Sequence, residues 1–385
     1  MPRLKKIMFV FGTRPEAIKM APVISEIKKH KDIFEELVVV TGQHREMLDQ
    51  VLNLFKIRPD YDLGIMEEEQ TISSIVIKCL SGIEEIILHE RPDFVLVQGD
   101  TSTTFAASLA AFYHRVPLGH IEAGLRTYNK FAPFPEEANR KLTSQLADLY
   151  FAPTKSAVHN LLEENISRGI IFLTGNTVID TLLNVAKKNY EFKQVGLKVN
   201  PGRKIILLTA HRRESFGEPL KRICAAIKEI STTHPEVEII VPVHKNPEVK
   251  KIVSEILGGL ENVQLVEPLE YESFVHLMKA SYLILTDSGG IQEEAPSLSK
   301  PVLVLREVTE RPEAVEAKVV KVVGTRSEAI VEETEKLLAD EAEYTKMARG
   351  INPYGDGKAS ERIIGILLHY FGFTDKLPEE LEVSL

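Results

Sequence analysis

The stretch "SYLILTDSGGIQEEAP", residues 281–296, decides how the rest of the chain is read. An apolar run from Tyr282 to Leu285 gives way to Asp287, Ser288, Gly289 and Gly290, and a helix-compatible segment from Ile291 to Glu294 follows. A short apolar run bounded by turn residues reads as a strand buried on both faces. A glycine turn that opens a helix directly after it is the repeating unit of a parallel α/β sheet. The stretch also poses a chemical puzzle. Free amides at a helix start attract phosphate, whereas Glu293 and Glu294, one turn further on, repel it.

Similar runs recur in both directions: "KIMFVFG", "ELVVVTG", "DFVLVQGD", "VPLGHIEAG" and "LYFAPT" before it, then "KIILLTAH", "VEIIVPVH" and "VQLVEP", and "PVLVLRE" after it. They alternate with segments of helical period, which predicts an α/β chain of parallel sheets covered by helices. At 385 residues and 44% hydrophobic content, the chain is long enough for two cores. The alternation pauses between Asn184 and Lys204, so a boundary is expected there or somewhat earlier, around "LTGNT" at 173–177. The expected organisation is two Rossmann-like domains, 1–175 and 176–357, facing across a cleft. The segment 358–385 carries a packed-helix stripe of Ile363, Ile364, Ile366, Leu367, Leu368 and Phe371 and is assigned to the first domain.

The net charge of −9 argues against a nucleic-acid or membrane-surface protein, whose footprint is a basic excess. Cys79 and Cys224 are the only cysteines, so there is no disulfide framework and no zinc spacing, and a reducing cytoplasmic compartment is expected. The apolar run after "MPRLKK" is too short for a signal peptide or a membrane span.

The polar motifs sit where the strands end, the place where open α/β sheets bind ligands. "FGTRPEAIK" puts Arg14 at a helix start with Lys19 about a turn on, an anion site or an ordinary strand-to-helix turn. There is no GxGxxG, which disfavours a nicotinamide cofactor. "ERPEA" at 310–314 echoes "TRPEA" at 13–17 and puts Arg311 at a second helix start. "VQGDTSTT", "GHIEAGLRT" and "PFPEEANR" bring Asp100, Glu122 and Glu136 to neighbouring strand ends as candidate acids and bases. The alternative for any one of them is a helix cap or an ion-pair partner of Arg126 or Arg140. "LLTAHRRESFG" places His211, Arg212 and Arg213 beyond another strand, a cationic group suited to an anionic ligand. His244 in "PVHKNP" is a weaker case. At the opening stretch, amides of Ser288, Gly289 and Gly290 can cradle a diphosphate. Glu294, a rise of about 5.4 Å further on, can then meet ribose hydroxyls. Phe274 is either a cover for a base or a core aromatic.

A nucleotide diphosphate with acids close by suggests a nucleotide-sugar. The motifs "FGTRPEAIKMAP", "TGQHREMLDQVL", "GDTSTT", "EAGLRT", "PFPEEANR", "TGNTVID", "TAHRRESFG" and "DSGGIQEEAPSL" resemble those of the non-hydrolysing UDP-N-acetylglucosamine 2-epimerases, from about residue 6 to 363. The resemblance implies a two-domain fold of the glycosyltransferase-B type, a homodimer, and interconversion of UDP-N-acetylglucosamine and UDP-N-acetylmannosamine for polysaccharide biosynthesis. No cofactor or metal is expected. It implies catalytic roles for Asp100, Glu122, Glu136 and His211, and UDP-sugar contacts from Arg14, Lys19, Phe274, Ser288, Gly289, Gly290, Glu294 and Arg311. Gln43, Glu136, Arg212 and His244 match relatives that bind a second, activating UDP-N-acetylglucosamine. Glu46 and Glu69 depart from the Gln and Arg usual there and add negative charge beside a diphosphate, which weakens that expectation. The alternatives are a hydrolysing epimerase that releases N-acetylmannosamine and UDP, a retaining glycosyltransferase of the same fold, and a non-catalytic nucleotide-sugar regulator.

Overall fold

Every apolar run quoted above becomes a strand, and the central ones are buried along their whole length, as "FVLVQ" and "IILLT" show. The computed structural model describes residues 3–42, 45–67, 70–200, 202–212 and 215–382. They form two compact units, Met1–Thr181 with Tyr354–Glu382, and Leu182–Pro353. The first crossing between them falls within the helix Thr177–Ala186.

Unit 1 holds β1 (Lys5–Phe11), β2 (Phe34–Val40), β3 (Tyr61–Asp62), β4 (Phe94–Gln98), β5 (Leu118–Ile121), β6 (Leu149–Ala152) and β7 (Ile171–Leu173). They pair in parallel in the order β3-β2-β1-β4-β5-β6-β7. Unit 2 holds β8 (Ile205–Thr209), β9 (Glu238–Pro242), β10 (Val263–Val266), β11 (Leu283–Thr286), β12 (Val302–Val304) and β13 (Val320–Val322). Their order is β10-β9-β8-β11-β12-β13, again parallel. Each sheet reverses its winding once, between β1 and β4 in unit 1 and between β8 and β11 in unit 2. Such a switch point leaves a crevice beyond the carboxyl ends of the two strands. The short strands β3, β7 and β13 were not expected, because two or three residues are too few to show a pattern.

The helix Ala359–Tyr370 belongs to unit 1. Its first turn is held by the buried carboxylate of Asp180, which accepts from the amides of Ala359 (3.2 Å) and Ser360 (2.8 Å) and from the Ser360 hydroxyl. At its far end Tyr370 meets Phe94 edge-on at 5.3 Å, and Phe371 meets Phe34 at 6.1 Å. No helix among the described residues is long and apolar enough to cross a membrane.

Candidate active site

The β1/β4 register sets Val10 beside Val97, so the turns after the two strands are neighbours. They are tied together by Glu16, a buried carboxylate in the first turn of the helix Arg14–Ile27. One of its oxygens accepts from the amides of Gly12 (3.0 Å) and Thr13 (2.8 Å) and the Thr13 hydroxyl. The other accepts from the hydroxyls of Thr101 and Thr104. Burial pushes its pKa up, and the donors hold that rise back. Gly12 is obligatory here, since a Cβ would lie 2.1 Å from the Thr41 hydroxyl.

Two of the three candidate acids, Asp100 and Glu122, stand beside this frame with supports of their own. Thr101, not Asp100, caps the helix Ser102–Tyr113. Asp100 is instead gripped by Arg140, whose Nε and Nη2 lie 2.8 Å from its Oδ2, while Asn139 donates to its carbonyl at 2.9 Å. Glu122 follows β5 with φ of 64°, an unusual backbone for a residue with a side chain. Its carboxylate, 8% exposed, pairs with Lys19 and accepts from the amides of Gln98 and Asn176. It also lies against Gly99, the residue that leads into Asp100. Glu136 starts the helix Glu136–Ser144, and its Oε2 is buried with no hydrogen-bond partner among the described residues. Its neighbour Glu137 is structural. It is fully buried and accepts from the amides of Thr127 (3.1 Å) and Tyr128 (3.0 Å) and from Arg140 (3.1 Å). Arg14, half-buried, is the first residue of the helix that follows β1. His120 holds the Gly99 carbonyl at 2.7 Å, and burial lowers its pKa to about 4.

In unit 2 the β8/β11 register sets Thr209 beside Thr286, which brings Asp287 under the turn after β8. Asp287 is fully buried, and its Oδ2 accepts from the amides of His211 and Arg212, both at 2.9 Å, and from the Ser215 hydroxyl at 2.8 Å. Its Oδ1 lies 3.7 Å from the His211 Nδ1. Burial pushes the His211 pKa below its ordinary value. Asp287 pulls it back, and His244 and Arg212 add to the lowering. The rings of His211 and His244 lie 6.3 Å apart and nearly parallel.

The puzzle of residues 287–296 resolves in the side chains. A Cβ on Gly289 would sit 3.5 Å from a guanidinium nitrogen of Arg212 and 3.6 Å from one of Arg311, so two arginines flank the glycine start. Glu293, nearly buried, pairs with the Nε of Arg311 and fixes that cation. Glu294 points elsewhere and accepts from the Tyr271 hydroxyl at 3.1 Å. Phe274 is half-buried one turn along from Tyr271 on the helix Tyr271–Ala280. Ser288 precedes the helix Gly289–Glu294 as its N-cap, and Arg311 stands in the same position before the helix Pro312–Glu316. The echo of "TRPEA" is therefore offset, since Thr13 is the cap in unit 1.

Gln43, Glu69 and Arg213 lie outside the described residues, as does the side chain of Glu46. No cluster of three or more His, Cys, Asp or Glu among the described residues could hold a metal. Sequence reasoning missed Glu16, Gln98, Asn176, Asp287 and Glu293. Asp287 carried a usable signal: a carboxylate closing a strand buried on both faces must find donors.

The family described as UDP-N-acetylglucosamine 2-epimerase matches residues 25–368. The UDP-N-acetylglucosamine 2-epimerase of Escherichia coli K12 is 54% identical over 375 residues, covering 94% of this chain and 98% of that protein. The solved UDP-GlcNAc 2-epimerase of Neisseria meningitidis, bound to UDP-GlcNAc, matches with a TM-score of 0.83 at 50% identity over 94% of this chain and 99% of that one. The S. aureus MnaA–UDP co-structure matches with a TM-score of 0.87 at 46% identity over 98% and 100% of the two chains. Matched in sequence and in fold along nearly its whole length, the chain belongs to the UDP-N-acetylglucosamine 2-epimerase family.

Proposed function

We propose that the protein interconverts UDP-N-acetylglucosamine and UDP-N-acetylmannosamine by elimination and return of UDP, without net hydrolysis. The observation that carries this reading is the pair of arginines at the glycine helix start of unit 2, together with the carboxylates beyond the strands of unit 1, each ion pair lying within its own unit. Arg212 and Arg311 stand beside Gly289 in unit 2, which suits a diphosphate, while unit 1 carries Asp100, Glu122 and Glu136, which suit proton transfer. The N. meningitidis relative binds UDP-GlcNAc and the S. aureus relative binds UDP, both in keeping with this division.

The hydrogen at sugar C2 has no adjacent carbonyl to acidify it, so simple abstraction and return is slow. Elimination avoids the difficulty. One carboxylate takes the C2 proton, the C–H electrons form the C1–C2 double bond of a glycal, and the C1–O bond breaks with its electron pair leaving on UDP. In return, a proton reaches the opposite face of C2 as a UDP oxygen attacks C1. Arg14, Lys19 and Arg311 offset the charge on the departing diphosphate, and His211, its pKa lowered by burial, serves it as a neutral N–H donor. The amides from Ser288 to Gly290 hold the phosphates, Glu294 the ribose and Phe274 the uracil. Asp100, Glu122 and Glu136 serve the proton transfers.

Incubation with UDP-N-acetylglucosamine in deuterated water tests this. Deuterium at C2 of both nucleotide-sugars is expected; free N-acetylmannosamine and UDP as main products would favour a hydrolysing enzyme. Asp100→Asn should abolish exchange, and a binding-only regulator would be indifferent to that change. A homodimer is part of the proposal. It is supported by Ile77 and Leu88, three turns apart on the helix Ile72–Glu90, and by Phe112 and Tyr113 at the end of the adjacent helix, all more than half exposed. Sedimentation equilibrium at monomer mass would sink that part.

A further inference from the structure

Unit 2 also has cavities at the amino ends of its strands, away from the crevice beyond β8 and β11. One, about 1270 Å³, sets Glu191, Glu238 and Glu261 against Lys193, Lys198 and Arg203 and has no net preference for an ion. A second, about 280 Å³, has lysines that are already paired, Lys321 with Glu333 at 2.6 Å and Lys336 with Glu343 at 3.3 Å. The third differs. It has about 320 Å³, and its charged lining consists of Arg203, Lys204 and Lys300, with no carboxylate among the described lining residues. In a chain of net charge −9, three cations around one cavity without an acid are unusual.

Its walls are fixed. Tyr282 and Tyr344 stack at 4.0 Å, and their hydroxyls donate to the carbonyls of Leu337 and Tyr282, each at 3.0 Å. Lys204 lies over the Tyr282 ring at 4.3 Å and donates to the Leu338 carbonyl at 3.0 Å. Lys300 comes from the turn before β12 and is half-buried. Burial, with Lys279 close by, pushes its pKa below the ordinary lysine value. An ammonium group that is desolvated and faces other cations gains from an incoming anion.

The geometry points to a second anion site in unit 2, formed by Arg203, Lys204 and Lys300, for the phosphate group of a small phosphorylated metabolite. It lies at the amino ends of β8, β11 and β12, one strand length or about 15 Å from the residues that follow β8 and β11 at their carboxyl ends. The volume equals about ten waters, enough for a phosphate with a few carbons and too little for a nucleotide-sugar. Arg203 also borders the larger cavity, so the organic part of the ligand extends that way.

Competitive acylation of lysines, read residue by residue by mass spectrometry, tests the site with inorganic phosphate as probe at constant ionic strength. Phosphate should slow acylation of Lys300 while leaving Lys251, whose side chain is 75% exposed, unchanged. In Arg203→Ala the phosphate concentration giving half-protection should rise about tenfold or more. Arg203 is exposed, so this variant should fold. Phosphate-insensitive labelling of Lys300 overturns the proposal. Equal slowing at Lys251, or unchanged protection in Arg203→Ala, does the same.

Discussion

Asp287→Asn changes one atom in the floor of unit 2, and its cost can be worked from the bonds it disturbs. The amide oxygen can still accept from His211, Arg212 and Ser215, but three bonds to a charged acceptor become bonds to a neutral one. The difference is about 1 kcal/mol per bond, and because all three share one oxygen, a total of about 2 kcal/mol is expected. Urea unfolding followed by circular dichroism measures it, since the chain has no tryptophan. The substitution also removes the negative charge that lifts the His211 pKa, which burial has already lowered, so that pKa falls further. A lowered folded pKa means that the unfolded chain binds the proton more readily. Stability contributed by His211 is therefore present above about pH 6.5 and is lost as pH falls from there toward the folded value. In the variant that loss extends to lower pH than in the wild type. UDP affinity should drop about tenfold, because the backbone that presents Arg212 beside Gly289 loses its anchor. A variant within about 0.5 kcal/mol of wild type, with an unmoved His211 titration in NMR, would refute the reasoning.

Glu294→Gln should keep the melting temperature and lower UDP affinity by about one to two decades in calorimetry; a lowered melting temperature with unchanged affinity would return Glu294 to a purely structural role. His120, with its pKa lowered to about 4 by burial, should contribute on the order of 3 kcal/mol that is lost as pH falls from about 6.5 to about 4. His120→Asn should flatten that part of the stability profile, and an NMR titration of His120 near pH 6.5 would contradict it. Asp180→Ala should destabilise unit 1 by about 2 to 4 kcal/mol, since two amides and a hydroxyl lose a buried acceptor; a thermal shift near zero would show that water replaces it.

The strands that carry the site were legible because both their faces are buried, and continuous runs such as "FVLVQ" leave little else to be read. The strand "VKV" was not, because Lys321 is exposed and only three residues pair. The candidate acids and cations stood out as polar residues at strand ends. Their supports did not. Glu16 looks like any first-turn glutamate, and only the folded chain shows that it joins the turns after β1 and β4. Glu293 and Glu294 are adjacent and chemically identical, so the sequence carried no sign that one turns toward Arg311 and the other toward Tyr271. Side-chain direction on a six-residue helix is set by tertiary partners, which a local pattern does not contain.

Because Tyr354–Glu382 returns to unit 1, that unit is complete only after the whole of Leu182–Pro353 has been made. Unit 2 is contiguous within Leu182–Pro353 and has all its strands before that moment. At about 5–20 residues per second, making unit 2 delays the completion of unit 1 by roughly ten to thirty seconds. During that time Phe34 and Phe94 await Phe371 and Tyr370, and Asp180 lacks the amides that will satisfy it. Until that segment is made, the face of unit 1 that receives the helix Ala359–Tyr370 stays uncovered. A chain cut short of Ala359 would hold every strand of unit 2 yet lack the helix that meets Phe94 and satisfies Asp180 in unit 1.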